Sequence, residues 1–223
     1  MGKLLNFVLL ILLLPLIYAV SYEALLFFVQ IEWKDTLFFL LGMAVYVLLY
    51  AVALTGKIGF LETLEHELTH AGASLAVFRM PSRLLVEPGG GETAAAGCFL
   101  VALAPYFLPL FTLPLLLLKP VVPPPFDRAV DFLIGSTLAF HYVRLYIDLK
   151  TEQSDITRTG TIFSVFFSVA MNLVFLVVIL AVVAGQYSLI LEYFKVSWER
   201  AKATYQTIIQ FIRSVDFEDV GIL

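Results

Sequence analysis

Two histidines in this chain are spaced so that one helix can direct both imidazole rings at a single metal ion. They are His66 and His70, and residues four apart on an α-helix lie one above the other on the same face. Glu67 falls on the adjacent edge of that face, where a carboxylate can take a proton from a water molecule. The sequence His66-Glu67-Leu68-Thr69-His70 therefore predicts a zinc-binding hydrolytic site with Glu67 as its catalytic base.

The segment that carries this motif is otherwise apolar. Residues 58–78 are hydrophobic at both ends and hold Glu62 and Glu65 beside the motif. A charged side chain at the centre of a bilayer costs at least about 2.5 to 3.5 kcal/mol on insertion scales, so the cluster indicates a functional site. Two structural alternatives stay open. In the first, the histidines are hydrogen-bonded residues within the helix bundle and Glu67 is paired with Arg144. In the second, the segment is an amphipathic helix at the membrane surface.

Composition places the chain in a membrane. Of its residues, 61% are hydrophobic and only 14% are charged, and the mean hydropathy is +0.93, unlike ordinary soluble domains. The apolar residues form blocks close to the roughly 20 residues that a helix needs to cross a bilayer. We expect an all-α, multi-pass bundle of about six spanning segments, over residues 4–20, 37–55, 58–78, 97–118, 129–146 and 160–184. We expect no nucleic-acid partner, and the single Cys98 excludes an intramolecular disulfide.

A proline- and glycine-rich stretch follows the motif segment. Residues 79–96 contain Pro81, Pro88 and the glycine run 89–91, which do not continue a helix at low cost. The stretch predicts an irregular or re-entrant hairpin loop. It is either a plain connection or a place where an extended peptide adds to a strand edge.

Both ends of the chain leave alternatives open. The first apolar block is an uncleaved targeting helix, or a signal peptide cleaved at Ala19-Val20-Ser21. Near the other end, apolar residues recur every three or four positions over residues 189–215, which predicts an amphipathic helix. It lies on the membrane surface or against the bundle, or joins two copies as a coiled coil. We treat residues 1–188 as the membrane-embedded part and residues 189–223 as the C-terminal helix and tail.

A catalytic zinc ion normally has three protein ligands and one open position, so a third ligand must come from elsewhere. The candidates are the remaining histidine and four acids near a membrane boundary: His141, Glu92, Asp148, Glu152 and Asp155. We predict Asp155, because a residue just before the last apolar block can reach into the bundle. Its alternative roles are a solvated loop acid or a helix N-cap. His141 is a ligand or a buried histidine that orients a carboxylate.

The motif resembles the site-2 protease family of intramembrane metalloproteases. The resemblance rests on Leu64 to Ala71 in an apolar helix, followed by a glycine-rich loop and an aspartate before a later span, and it covers residues 58–180. It implies a zinc ion held by His66, His70 and Asp155, with Glu67 as the base. It also implies hydrolysis of peptide bonds in membrane-spanning or membrane-adjacent substrates.

The chain departs from the family pattern around the aspartate. The family has a glycine after this residue and an asparagine before it, whereas here Ile156 follows Asp155. Asn172 in the last apolar block is therefore a candidate to stabilise the oxyanion. The family's two zinc-binding helices also run in parallel, whereas six full crossings would make them antiparallel here. Either a loop dips toward the histidines, or the fourth or fifth block does not span.

Two functions of other classes fit the same residues. Buried histidines and acids in a membrane also carry metal ions or protons in transporters. A catalytically inactive scaffold would bind membrane partners through its C-terminal helix.

Overall fold

The computed structural model describes residues 3–81, 83–87, 90–94, 98–151 and 153–214. Over these residues the chain is helical apart from one two-stranded hairpin, which agrees with the predicted all-α class. The elements in chain order are α1 (Lys3–Gln30), α2 (Leu37–Leu49), α3 (Gly59–Ala76), β1 (Arg83–Glu87), β2 (Gly90–Ala94), α4 (Phe99–Leu103), α5 (Thr112–Leu118), α6 (Asp127–Lys150), α7 (Ser154–Thr159), α8 (Thr161–Val183) and α9 (Tyr187–Ser214).

Among the described residues, three helical segments are long and apolar enough to cross a membrane. They are Leu4–Gln30, Trp33–Leu54 and Thr161–Val183, and the second continues α2 through a π-helical turn. These helices indicate a membrane protein. The prediction of about six spanning segments is not supported, and the described residues contain half that number.

The other three apolar blocks do not form helices of that length and composition among the described residues, for two physical reasons. Prolines divide the fourth block into the short helices α4 and α5, which have 5 and 7 residues. Ionisable side chains interrupt the remaining two blocks, which form α3 and the 24-residue α6. Counting apolar residues did not separate a lipid-facing helix from one that buries polar groups against protein.

The hairpin lies within the stretch predicted to form an irregular or re-entrant loop. β1 and β2 are antiparallel, with Arg83 opposite Ala94 and Glu87 opposite Gly90. Both strands pack against α3. Pro88 and the first glycine of the run lie outside the described residues. The hairpin therefore stands beside the helix that carries the motif.

The predicted C-terminal helix is confirmed as α9, which packs against α1. The Tyr193 hydroxyl donates to the Val20 carbonyl at 3.0 Å, and Arg200 pairs with Glu23, a buried acid within α1. Large apolar side chains on α9 remain exposed: Leu191, Phe194, Trp198, Ile208, Ile209, Phe211 and Ile212. Whether a lipid surface or a second copy covers them stays a prediction, and residues 215–223 lie outside the described residues.

α2 and α6 cross at two glycines. A Cβ atom on Gly135 would lie 2.0 Å from the Phe39 carbonyl oxygen, and one on Gly42 would lie 2.0 Å from the Phe132 carbonyl oxygen. The Ser136 hydroxyl donates to the Gly42 carbonyl at 3.2 Å across the same contact. Small residues allow membrane helices to approach this closely. The crossing fixes α6, which carries several groups of the site described below.

We expect Gly135→Ala to lower the free energy of unfolding by about 1 to 3 kcal/mol, because the added methyl group meets the backbone of α2, which cannot move aside. Gly59→Ala is the matched control, since a Cβ at that helical position meets nothing within 4 Å. Denaturant titration in detergent micelles compares the two variants. Equal midpoints would contradict the proposed crossing.

Candidate metal centre

α3 buries an unusual set of ionisable side chains on one short helix. Glu62, Glu65, His66, Glu67 and His70 are all buried, within a helix of 18 residues. Buried charges are strongly destabilising unless they are paired or bind a metal. Their partners therefore define what this part of the chain can do.

Three of the residues predicted from the sequence converge on one point. One ligand atom from each of His66, His70 and Asp155 lies within 4.8 Å of the others. Nε2 of His70 is 3.4 Å from Oδ2 of Asp155, which is long for a hydrogen bond. Two ligand atoms bound to one tetrahedral zinc ion are also about 3.4 Å apart, given metal–ligand distances of about 2.1 Å. This spacing suits two ligands that share a metal ion.

Asp155 reaches the histidines from the short helix α7. Gly160 separates α7 from α8 and has φ +103°, a conformation that favours glycine. The chain can therefore turn sharply between these two helices, and α7 packs against α4. Asp155 lies inside α7, where Gln153 is the N-cap residue, so it is not the N-cap of the last span.

The second ring nitrogen of His70 has its own partner. Nδ1 lies 2.8 Å from the carbonyl oxygen of Val101 in α4, which can only accept a hydrogen bond. When Nδ1 carries the proton, Nε2 has the lone pair that a metal needs. Metal-binding histidines are commonly oriented in this way by a carbonyl or carboxylate.

His66 is backed by a carboxylate that an arginine holds in place. Nδ1 of His66 lies 3.3 Å from Oδ2 of Asp148, although the two atoms are not aligned as a hydrogen bond. Arg144 contacts both oxygens of Asp148, with Nη2 at 2.7 Å from Oδ1 and Nε at 3.1 Å from Oδ2. Arg144 also lies 3.8 Å from Glu62. Asp148, one of the predicted candidate ligands, thus lies behind a histidine rather than in the convergent group.

His141 belongs to a separate pair. Its Nδ1 lies 3.2 Å from Oε1 of Glu65, and both residues are almost fully buried. Within the described residues, the group that could hold a metal contains Asp155 and does not contain His141. The structure thus favours the prediction that His141 orients a carboxylate over the prediction that it is the third ligand.

Glu67, the predicted base, is buried with 6% of its surface exposed. It follows His66 directly on α3, so the helix holds it beside the convergent group. The contacts described for Arg144 are with Asp148 and Glu62, and the alternative in which Arg144 is the partner of Glu67 stays a prediction.

The remaining predicted residues lie elsewhere. Glu152 and the side chain of Glu92 are outside the described residues. The side-chain amide of Asn172 donates to the carbonyls of Tyr106 and Ser168, both at 2.8 Å. Asn172 therefore holds the segment after α4 against α8, and these contacts give no support for an oxyanion role.

Two neighbours of the site could not be predicted from the sequence, whereas the polar face of α6 could have been. The Val101 carbonyl has no sequence signature, and neither has Tyr106, whose ring meets His66 edge to face at 5.7 Å. By contrast, His141, Arg144 and Asp148 are spaced three and four apart. That spacing places them on one face of α6 and could have indicated a polar stripe facing α3.

The donor set fits zinc. Two imidazoles and one carboxylate are the ligands of several catalytic zinc sites, and they leave one position open. The same set also binds ferrous iron in oxygenases.

Comparison with known proteins gives no match: no family model, no curated protein and no solved structure matches this chain.

We expect Asp148→Asn to weaken zinc binding by about 10- to 100-fold, because the carboxylate behind His66 is lost. Asp35→Asn is the control, since Asp35 is an exposed acid far along the chain from the site. Competition with a fluorescent zinc chelator measures both affinities. Equal affinities in the two variants would show that Asp148 does not support a metal ligand.

Proposed function

We propose that this chain is a multi-pass intramembrane zinc metalloprotease, similar to the site-2 protease family, that hydrolyses peptide bonds in membrane-spanning or membrane-adjacent substrates. The observation that carries the proposal is the convergence of His66, His70 and Asp155 beside the buried Glu67. Three helices long enough to span a bilayer support the membrane setting. Zinc peptidases use the same pair of histidines with the same intervening glutamate.

Each polar group at the site has a role in this proposal. When bound, zinc supplies a polarised carbonyl and a water ligand whose pKa falls toward about 7. Glu67 accepts the proton of the attacking water and passes it to the leaving amine. The Val101 carbonyl and the Asp148 carboxylate hold the two imidazoles in position.

Hydrolysis also needs water inside an apolar bundle. The Asp155 side chain is 28% exposed, whereas those of His66 and His70 are each 10% exposed. Water therefore reaches the site most directly from the α7 side. The site can therefore use water as a reactant at Asp155 although the two histidines are shielded from solvent.

The substrate segment must be extended to be cut, because a transmembrane helix hides its peptide bonds. The hairpin β1–β2 packs against α3, so a strand added to it would run close to the motif helix. Adding a strand to a sheet edge is a common way to bind an extended peptide. We assign this role to the hairpin within the proposal.

We expect Glu67→Gln to slow cleavage of a membrane-embedded peptide by at least about 100-fold, with zinc content unchanged, because the base is lost and the ligands remain. Glu65→Gln is a matched control on the same helix, since Glu65 pairs with His141 and glutamine can still accept a hydrogen bond. Liposome cleavage assays with metal analysis test both variants.

Three outcomes of this experiment would overturn the protease proposal. If Glu67→Gln cleaves at the wild-type rate, Glu67 is not the base. Zinc flux across the liposome without cleavage would indicate a transporter. A wild-type protein without cleavage or flux would indicate a scaffold.

We expect Asp155→Asn to lose stoichiometric zinc and His141→Gln to retain it, because Asp155 is in the convergent group and His141 pairs with Glu65. Elemental analysis of purified protein measures zinc per chain. If zinc is lost only in His141→Gln, the third ligand is His141 and not Asp155.

A further inference from the structure

A cavity of about 110 Å³ lies between α6 and α8, next to the metal centre. Its walls include Leu145 and Leu149 from α6, and Ser164 and Ser168 from α8. It is partly open to the surface of the bundle.

Two residues that line the cavity adjoin the candidate metal centre. Tyr106 lines it, and the ring of Tyr106 also meets the His66 ring at 5.7 Å. Ile156 lines it and directly follows Asp155 in α7. A group that entered the cavity would therefore contact Tyr106 and Ile156, the two lining residues next to the candidate ligands His66 and Asp155.

Two of the polar residues that line the cavity, Ser164 and Asn172, donate to backbone carbonyls. The Ser164 hydroxyl donates to the Gly160 carbonyl at 2.9 Å, and the Asn172 amide donates to the Tyr106 and Ser168 carbonyls. The walls thus offer mainly carbon to an occupant. Such walls favour an apolar group, because a polar one would lose its hydrogen bonds with water.

The outer wall of the cavity reaches the surface of the bundle. Leu149, Val165 and Val169 line the cavity and are also exposed. α8 is one of the three candidate spans, so this wall faces hydrocarbon if the helix crosses the bilayer. The expected occupant therefore comes from a membrane-embedded chain.

We infer that this cavity is a substrate subsite that receives a branched aliphatic side chain, of the size of leucine, from a residue next to the scissile bond. The inference rests on the proposed protease function. A cavity of roughly 150 Å³ lined by apolar residues holds benzene, so the smaller volume here suits an isobutyl group better than an indole.

The test measures the binding of amino-acid hydroxamates to the zinc-loaded protein, because the hydroxamate binds the metal and places its side chain beside it. We expect leucine hydroxamate to bind at least about 10-fold more tightly than alanine hydroxamate in the wild type. Ser168→Leu fills the cavity and should reduce this ratio to about one, with alanine hydroxamate affinity nearly unchanged. Ile162→Leu is the control on the same helix and should keep the wild-type ratio, since Ile162 is exposed and is not among the lining residues.

A second variant keeps the test open if Ser168→Leu does not fold. Leu145→Ala enlarges the cavity, and we expect the preference to shift from leucine to phenylalanine hydroxamate. Cleavage of membrane peptides that vary at the residues flanking the scissile bond should show the same two shifts.

The outcomes separate the subsite from the protease proposal. A steep hydroxamate series that changes in both variants, without any cleavage, would overturn the protease and with it the role of the cavity as a substrate subsite, and would leave only an apolar binding site beside the metal. The subsite alone would be overturned if cleavage depends on Glu67 but the hydroxamates bind with equal affinity. The same holds if their relative affinities do not change in the variants. Failure to bind any hydroxamate would also overturn the subsite.

Discussion

The pairing of ionisable groups on α3 is the constraint on which the rest of this structure depends. An unpaired charge in apolar surroundings is strongly destabilising, so each of these side chains needs a partner placed by another element. α6 provides three of those partners from one face, with His141 beside Glu65, and Arg144 and Asp148 beside Glu62 and His66. The long side chains on α6 thereby join it to α3. Two of the ligands predicted from the sequence, His66 and His70, are fixed in orientation by this arrangement and by the Val101 carbonyl.

The short helices α4 and α7 bring a backbone carbonyl and a carboxylate close to α3. Prolines interrupt the chain after α4, so Val101 and Tyr106 lie beside the histidines instead of on a long spanning helix. A short α7 and the turn at Gly160 place Asp155 next to His70. The fourth apolar block forms the two short helices α4 and α5 instead of one continuous spanning helix, which agrees with the alternative in which this block does not span.

The motif residues and the helical class could be predicted from the sequence, because both depend on local periodicity. Asp155 could be named from its position before the last apolar block, and the structure places it with the two histidines. The predicted number of about six spans is not supported, since hydropathy counts α6 as apolar while its polar stripe faces α3. The partners of Glu65 and His66 could not be assigned, because they depend on how α3 and α6 pack. The cavity beside Tyr106 depends on the packing of α6 against α8 and leaves no pattern in the sequence.

X-ray absorption at the zinc edge of the purified protein measures whether His66, His70 and Asp155 hold one zinc ion. We expect one zinc ion per chain, two imidazole nitrogens at about 2.0 to 2.1 Å, and the remaining ligands all oxygen at about 2.0 to 2.2 Å. Loss of one imidazole in His66→Ala would identify the ligands as those of α3. A sulfur ligand at about 2.3 Å, a shell of oxygen alone, or a protein that binds no zinc would contradict this assignment of the ligands.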